Sequence, residues 1–365
     1  DFTPFEPLGF NMNTESFNME PPRTTNFNLN VQYQVSKSTV AQIGYVGSIG
    51  RHLLGAYNLN PAGQYPGVNP AAVAMGCTSD FFLADCTGGA TFQLGAATSV
   101  IGQPGIQATD YSSNYNSLQA SLQRHMSNGL QLGVAYTWSR YFDYTSSLEN
   151  SSFNGPGINN FSVAQSYGPS ANDAPQRLVL NFVYTLPFYK FGHHFRPLTD
   201  GWNLTGIGTF QSGFPVEVYA LGYNDLQWSY PDAYYANPAH GQLTGQALQV
   251  NHNPRNNTIA GLQNYWLNPN AFTTAPNGTT GNANRNPFYG PGLNFWDLAL
   301  EKDIHLTETK YFELRFETFN TFNHAQFAAP DGYVTDPNFG RVLGVQQATT
   351  NGDGRVVQLG AKIYF

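Results

Sequence analysis

Charged side chains are scarce in this chain of 365 residues, where Asp, Glu, Lys and Arg make up 11%, against roughly a quarter in typical soluble domains. A water-soluble chain of this length would need more charge to stay dispersed. Long apolar runs are also missing: no stretch of 18 apolar residues occurs, which excludes transmembrane helices. The formal net charge of −7 argues against a nucleic-acid partner.

Apolar and polar residues alternate instead, and the pattern is clearest at the C-terminus. Leu359, Ala361, Ile363 and Phe365 fall on one side of an extended strand, and the residues between them fall on the other. Such a strand can meet lipid on one face and water on the other. The alternative for this segment alone is a buried edge strand of a soluble sandwich.

The same alternation recurs along the chain and predicts nine strands. They are residues 26–35, 39–47, 115–124, 130–140, 177–186, 202–216, 295–302, 311–322 and 355–365. We expect an all-β antiparallel meander with five leucines on one outer face: Leu118, Leu132, Leu180, Leu298 and Leu359.

Short and long links alternate strictly between these strands. The long links cover residues 49–111, 143–175, 217–293 and 323–354. Short periplasmic turns and long extracellular loops are typical of transmembrane β-barrels of the bacterial outer membrane. Single-chain barrels there have even strand numbers. An odd count therefore predicts part of a larger barrel with two unpaired sheet edges, unless residues 339–343 add a short hairpin.

Four stretches resemble a known family: NDAPQRLVLNFVYTLPF (172–188), GWNLTGIGTFQSGFPV (201–216), RNPFYGPGLNFWDLALEKD (285–303) and ELRFETFNTFNHAQF (313–327). They are similar to TonB-dependent outer-membrane receptors of the Oar-like type, which carry a carboxypeptidase-regulatory-like domain. The resemblance implies a plugged barrel of about 22 strands, of which residues 1–365 would form the C-terminal part. It also implies that the plug, the TonB box and the contact with the TonB complex lie outside this chain.

The resemblance implies ligand binding at extracellular loops and energised transport. The third long link is rich in aromatic residues beside amides, which suits an oligosaccharide or a peptide. The candidate ligand-binding residues are Tyr223, Trp228, Tyr230, Tyr234, Tyr235, Tyr265 and Trp266. The alternative is that these rings pack together and give the loop its own small core.

Two further features carry predictions. Cys77 and Cys86 lie in the first long link, where an oxidising extracellular setting favours a local disulfide. At the C-terminus, Gln358, Gly360, Ile363 and Phe365 resemble the signal by which the barrel-assembly machinery recognises outer-membrane strands.

Motifs of catalysis and metal binding are missing. No CxxC, HExxH or GxSxG occurs, so we predict no cofactor, no metal and no enzyme. Two other functions stay open beside transport. One is a structural or adhesive surface barrel, and the other is a hydrolase whose Ser, His and Asp residues converge at the barrel rim.

Overall fold

The computed structural model describes residues 13–58, 105–146, 163–190, 196–218, 242–243, 265–273, 282–286, 288–307, 310–346 and 354–365. Within these residues no helix is both long and apolar enough to span a membrane. In the described part of the chain the helical elements are one α-helical turn, Arg196–Thr199, and three 3-10 turns, Val163–Ser166, Pro187–Lys190 and Pro269–Ala271.

Strands make up nearly all of the remaining regular structure. In chain order they are β1 (Asn13–Glu15), β2 (Arg23–Ser36), β3 (Thr39–Asn58), β4 (Gly105–Ser127), β5 (Leu130–Asp143), β6 (Gly168–Pro169), β7 (Gln176–Thr185), β8 (Trp202–Gln211), β9 (Pro215–Val216), β10 (Gln242–Leu243), β11 (Phe272–Thr273), β12 (Phe288–Tyr289), β13 (Leu293–His305), β14 (Tyr311–Phe319) and β15 (Val356–Tyr364).

The nine longest strands form one sheet in the order β15-β14-β13-β8-β7-β5-β4-β3-β2. Each neighbouring pair is antiparallel and consecutive among the long strands, so the predicted meander is confirmed. We call the end with the short links the turn end and the opposite end the loop end.

The structure departs from the sequence prediction in several places. β1 adds to β4 in parallel, although the start of the chain had no strand pattern. The predicted strand 202–216 ends at Gln211, because β9 leaves the sheet and pairs with β12. Residues 339–343 form no hairpin; Arg341 bridges to Tyr265 in another loop.

The strand register places the predicted leucines on one face. Directly opposed residues share a face of the sheet. The strands are joined by the pairs Leu118–Trp138, Leu132–Phe182, Phe182–Gly206, Gly206–Leu298, Leu298–Thr318 and Thr318–Val357. With period two along each strand, Leu132 and Leu180 fall on the face of Leu118, and so does Leu359. We call this the outer face and the opposite one the inner face.

Local backbone requirements explain two glycine motifs. The β4–β5 turn has positive φ at Asn128 (53°) and Gly129 (76°), as a two-residue type I′ hairpin requires. On the outer face, a Cβ on Gly208 would lie 2.9 Å from the Trp296 ring. A larger residue would displace that ring, so glycine here makes room for an aromatic side chain.

Two strands extend far beyond membrane thickness. β3 has 20 residues and β4 has 23, whereas about 10 cross a bilayer. The hairpin therefore projects well past the membrane at the loop end. At the sides of the sheet, β2 pairs with β3 alone and β15 with β14 alone among the described strands. Both edges of the described sheet are open.

Candidate functional site

The outer face has the surface expected of a lipid contact. Leu29, Val31, Phe316 and Leu359 are exposed there although they are large and apolar. Their exposure would be unfavourable in water but is favourable in hydrocarbon.

Aromatic rows mark the two borders of this apolar band. On β8, Trp202 lies at the turn end and Phe210 lies eight residues away at the loop end. That separation is about 27 Å along the strand, or about 20 Å of membrane after the usual tilt. Arg140 and Lys302 share the outer face but lie at opposite ends of it, so charge is kept to the borders.

The inner face is polar and charged. Arg315 reaches Glu317 at 2.9 Å, Glu301 at 3.0 Å and Glu313 at 3.8 Å, and Lys362 lies 3.6 Å from Glu313. An adjoining cavity of about 410 Å³ lies beside this cluster. Because these groups require hydration or polar partners, this face suits a wet interior.

A buried ion-pair network joins three separate segments at the loop end. Arg285, with 8% of its side chain exposed, is paired with the Asp143 carboxylate, which is 3% exposed. Arg285 also donates to the Asp143 carbonyl oxygen and to Ser146 Oγ, both at 2.7 Å. Glu217 lies 3.9 Å away. Its burial raises the pKa of Glu217 to about 7, although the Arg285 charge acts in the opposite direction.

A second buried carboxylate fixes a neighbouring loop. Asp173 is fully buried and accepts hydrogen bonds from the Tyr141 backbone N–H at 2.9 Å and from the Tyr289 hydroxyl at 2.6 Å. Arg140 also donates to Tyr289 Oη at 2.7 Å. Burial, followed by the hydrogen bond to Asp173 and then the Asp173 charge, raises the pKa of the Tyr289 hydroxyl. Tyr289 therefore stays protonated and holds two links together.

The third and fourth long links share an apolar core. We call it the loop core; its buried members are Val216, Val218, Trp266, Leu267, Ala271, Phe272, Ala283, Phe288, Phe339 and Val342. Trp266 is 6% exposed and its indole N–H donates to the Tyr289 carbonyl at 2.8 Å. The Arg341 guanidinium lies 5.6 Å from the centre of the Tyr265 ring. Trp266 thus packs inside the loop layer, as the packing alternative describes.

A cavity of about 490 Å³ opens at the loop end between β3, β4 and β5. We call it the tyrosine–serine cavity. Four of its lining residues are tyrosines: Tyr111, Tyr115, Tyr141 and Tyr144. Six are serines or threonines: Thr24, Ser48, Ser112, Ser113, Thr145 and Ser146. The remaining three are Leu53, Leu54 and Asp143.

Most of the residues predicted to bind ligand fall outside the described ranges. These are Tyr223, Trp228, Tyr230, Tyr234 and Tyr235, and the same holds for Cys77 and Cys86. The terminal residues are described. Gln358 and Gly360 pair with Glu317 and Arg315 on the inner face, and Ile363 and Phe365 lie on the outer face at 60% and 97% exposure.

Sequence reasoning missed the role of the FNTFNHAQF stretch. Asn320 and Asn323 have positive φ, 50° and 51°, which asparagine tolerates better than most residues. Gln326 is 1% exposed; it accepts from the Asn294 N–H at 2.9 Å and donates to the Asn294 carbonyl at 2.7 Å. The stretch is a structural cap over the end of β13. The predicted strand 311–322 included Asn320, whereas β14 ends at Phe319, and no local pattern identified the partner strand.

Among the described residues no group of three or more His, Cys, Asp or Glu side chains has the arrangement of a metal site. Arg285, Asp143 and Ser146 at the loop end bind each other, and further hydroxyl groups line the tyrosine–serine cavity. The arrangement offers hydrogen bonding and aromatic contact to a ligand.

Residues 2–358 match a family model described as an outer membrane beta barrel domain. The chain belongs to this family, and its location is the bacterial outer membrane. No match is found among the curated proteins.

Solved outer-membrane proteins have a similar fold. One is the transporter YddB from Escherichia coli, with 11% identity and a TM-score of 0.45 over 97% of this chain and 34% of that one. Another is the ferric-catecholate import receptor Fiu from Escherichia coli (10%, TM-score 0.42, 96% and 29%). A third is the FrpB iron transporter from Neisseria meningitidis (11%, TM-score 0.40, 97% and 32%). The chain spans about a third of the length of these structures.

Proposed function

We propose that this chain is the C-terminal part of a TonB-dependent receptor of the Oar-like type, which binds a ligand at its extracellular loops and transports it across the outer membrane. The observation that carries the proposal is the open nine-stranded sheet. Nine strands that do not close on one another need further strands to complete a barrel. Barrels with many more than eight strands enclose a channel or a plugged lumen.

The inner face supports a wide interior. A small barrel fills its interior with packed side chains, whereas the Arg315 cluster presents several charges on this face. In the proposed receptor this surface faces a plug supplied by a preceding part of the protein. That preceding part would also supply the contact with the TonB complex, and no catalytic step is required of the chain.

The long links form the ligand-facing layer in this proposal. The loop core and the buried Arg285–Asp143 pair give that layer a fixed base. We propose that Tyr223, Trp228, Tyr230, Tyr234, Tyr235 and Tyr265 extend from this base to contact an oligosaccharide or a peptide. The C-terminal strand would be recognised by the barrel-assembly machinery.

Direct binding of TonB tests this function without knowledge of the ligand. The full-length parental protein is purified in detergent and mixed with the periplasmic domain of TonB from the same bacterium. We expect a stable complex with the full-length protein and none after deletion of its N-terminal TonB-binding segment. If the intact protein does not bind TonB, the transport proposal fails and the structural or adhesive function gains support.

A further inference from the structure

We propose that the tyrosine–serine cavity binds an uncharged, polyhydroxylated ligand, which is to say a short stretch of carbohydrate. This inference rests on the proposed receptor function, since it names the substrate class. It concerns residues of β2, β3, β4 and β5 and the three residues that follow β5, not the aromatic residues of the third long link.

The lining chemistry is the first argument. Of the thirteen described residues around the cavity, the four tyrosines and the six serines and threonines carry hydroxyl groups. The Ser146 hydroxyl is already bonded to Arg285 and Asp143, so the ligand would contact the other hydroxyl groups. A hydroxyl rotates freely and acts as both donor and acceptor. Sugar hydroxyls have the same dual character, so a surface of this kind can pair with them in many registers. A ligand with only acceptors would use half of this capacity.

Charge is the second argument. Among the described residues that line the cavity, Asp143 is the one with a formal charge. Its carboxylate is paired with Arg285 and lies within hydrogen-bond reach of Ser146 Oγ at 3.3 Å. The described lining thus offers neither a free cation to an anionic ligand nor a free anion to a cationic one. Bringing a charged ligand into it would cost desolvation without a compensating ion pair.

The rings are held in place before a ligand arrives. Tyr115 and Tyr141 meet edge to face with centroids 6.1 Å apart, and Tyr144 lies 5.5 Å from Tyr111 and 5.0 Å from Tyr167. Such contacts fix the ring planes, so less side-chain entropy is lost on binding. Each tyrosine offers an apolar ring for the C–H face of a sugar and a hydroxyl at its tip.

The strands around the cavity argue against an extended peptide. A peptide commonly binds by adding a strand to an open sheet edge. β4 is paired on both sides, with β3 and β5, and β3 is paired with β2 and β4. Ser48, Ser113 and Tyr115, which line the cavity, are paired on both sides within the sheet, so their backbone groups are used there. The cavity volume, about 490 Å³, lies in the usual range for small-ligand sites and suits a short oligosaccharide.

Calorimetric titration of the full-length protein in detergent tests the inference. The neutral probes are maltotriose, cellotriose, mannotriose and galactotriose, and the contrasting probes are trigalacturonic acid and trialanine. We expect at least one neutral trisaccharide to bind, with neither contrasting probe binding as tightly. Tyr144→Phe, which removes one hydroxyl, should weaken that binding by about two- to tenfold, and Tyr144→Ala should weaken it further.

Matched variants distinguish a loss of binding at the cavity from a general effect of substitution on the protein. Ser113→Ala should weaken binding as Tyr144→Phe does, because Ser113 also lines the cavity. Tyr33→Phe removes a tyrosine hydroxyl from the outer face, where Tyr33 is 70% exposed, and should leave the dissociation constant unchanged. The inference is overturned if all four neutral sugars fail to bind, if a contrasting probe binds best, or if the cavity variants bind as the wild type does. The TonB-binding experiment is independent of these outcomes, so each proposal can fail alone.

Discussion

Replacing Arg285 should loosen the loop layer while leaving the barrel strands intact. In Arg285→Met the side chain keeps its length but loses its charge and its bonds to Asp143 and Ser146. The Asp143 carboxylate, with 3% of its surface exposed, would then be buried without its cation. Removing one partner of a buried ion pair costs about 3–5 kcal/mol, much more than the loss of a surface contact.

The measurement is amide hydrogen exchange of the full-length protein in detergent. The amides of Ser170 and Gly290 report on the layer, because they donate to the carbonyls of Tyr141 at 2.8 Å and Phe214 at 2.9 Å. If they exchange by opening of this layer, the loss corresponds to an acceleration of roughly 100- to 5,000-fold. The central amides of β7 and β8 should be unaffected.

Two variants complete the experiment. Arg23→Met removes a cation from an exposed pair, in which Arg23 is 70% exposed and lies 3.9 Å from Glu20. Such pairs contribute about 0–1 kcal/mol, so loop exchange should stay within a few-fold of wild type. Adding Asp143→Asn to Arg285→Met removes the stranded charge and should restore part of the protection. Wild-type exchange rates in Arg285→Met would refute the conclusion that this ion pair fixes the layer.

Three further predictions concern pH, lipid contact and assembly. Burial raises the pKa of Glu217 from 4.5 to about 7, so the loop layer should be most stable below about pH 4.5, lose stability as the pH rises to about 7, and stay at that lower level above it. Amide exchange rates of the layer, corrected for their intrinsic pH dependence, should show this slope in the wild type. The same slope in Glu217→Gln would contradict the assignment of the pH dependence to Glu217. Phe182→Arg, on the outer face opposite Gly206 in the middle of the apolar band, should lower the unfolding free energy of the full-length protein in lipid vesicles by about 2–4 kcal/mol. Asn181→Arg on the inner face should change it far less, and equal losses in denaturant titrations would contradict the face assignment. Deletion of Phe365 should sharply lower the amount of full-length protein in the outer membrane but leave refolding in detergent nearly unchanged, and equal membrane levels would reduce Phe365 to an ordinary surface residue.

Strand periodicity in the sequence determined the main sheet, because one face must avoid charge and the other must accept water. This requirement places Leu118 and Leu132 on the same side long before their strands are seen to pair. The Asn128–Gly129 turn is likewise determined by the local sequence, because two successive positive φ angles favour these two residue types.

The sequence was less informative about strand ends. β3 and β4 run to Asn58 and from Gly105, about ten residues beyond the prediction in each case, because strands outside the membrane need not keep the lipid pattern. The prediction also carried β8 through Gly213 and Pro215, which are residues that interrupt strands. The pairing of Pro215 and Val216 with Tyr289 and Phe288 depends on a distant segment and has no local pattern.

The loop end was decided by tertiary structure alone. Arg285 and Asp143 are separated by 142 residues, and no local pattern connects a buried cation to a partner at that distance. Tyr115 and Tyr141 likewise belong to different strands, and only the β4–β5 register brings them opposite each other on the inner face. Alternation specifies which face a side chain occupies; which other side chains it meets there depends on the pairing of the strands and the packing of the loops between them.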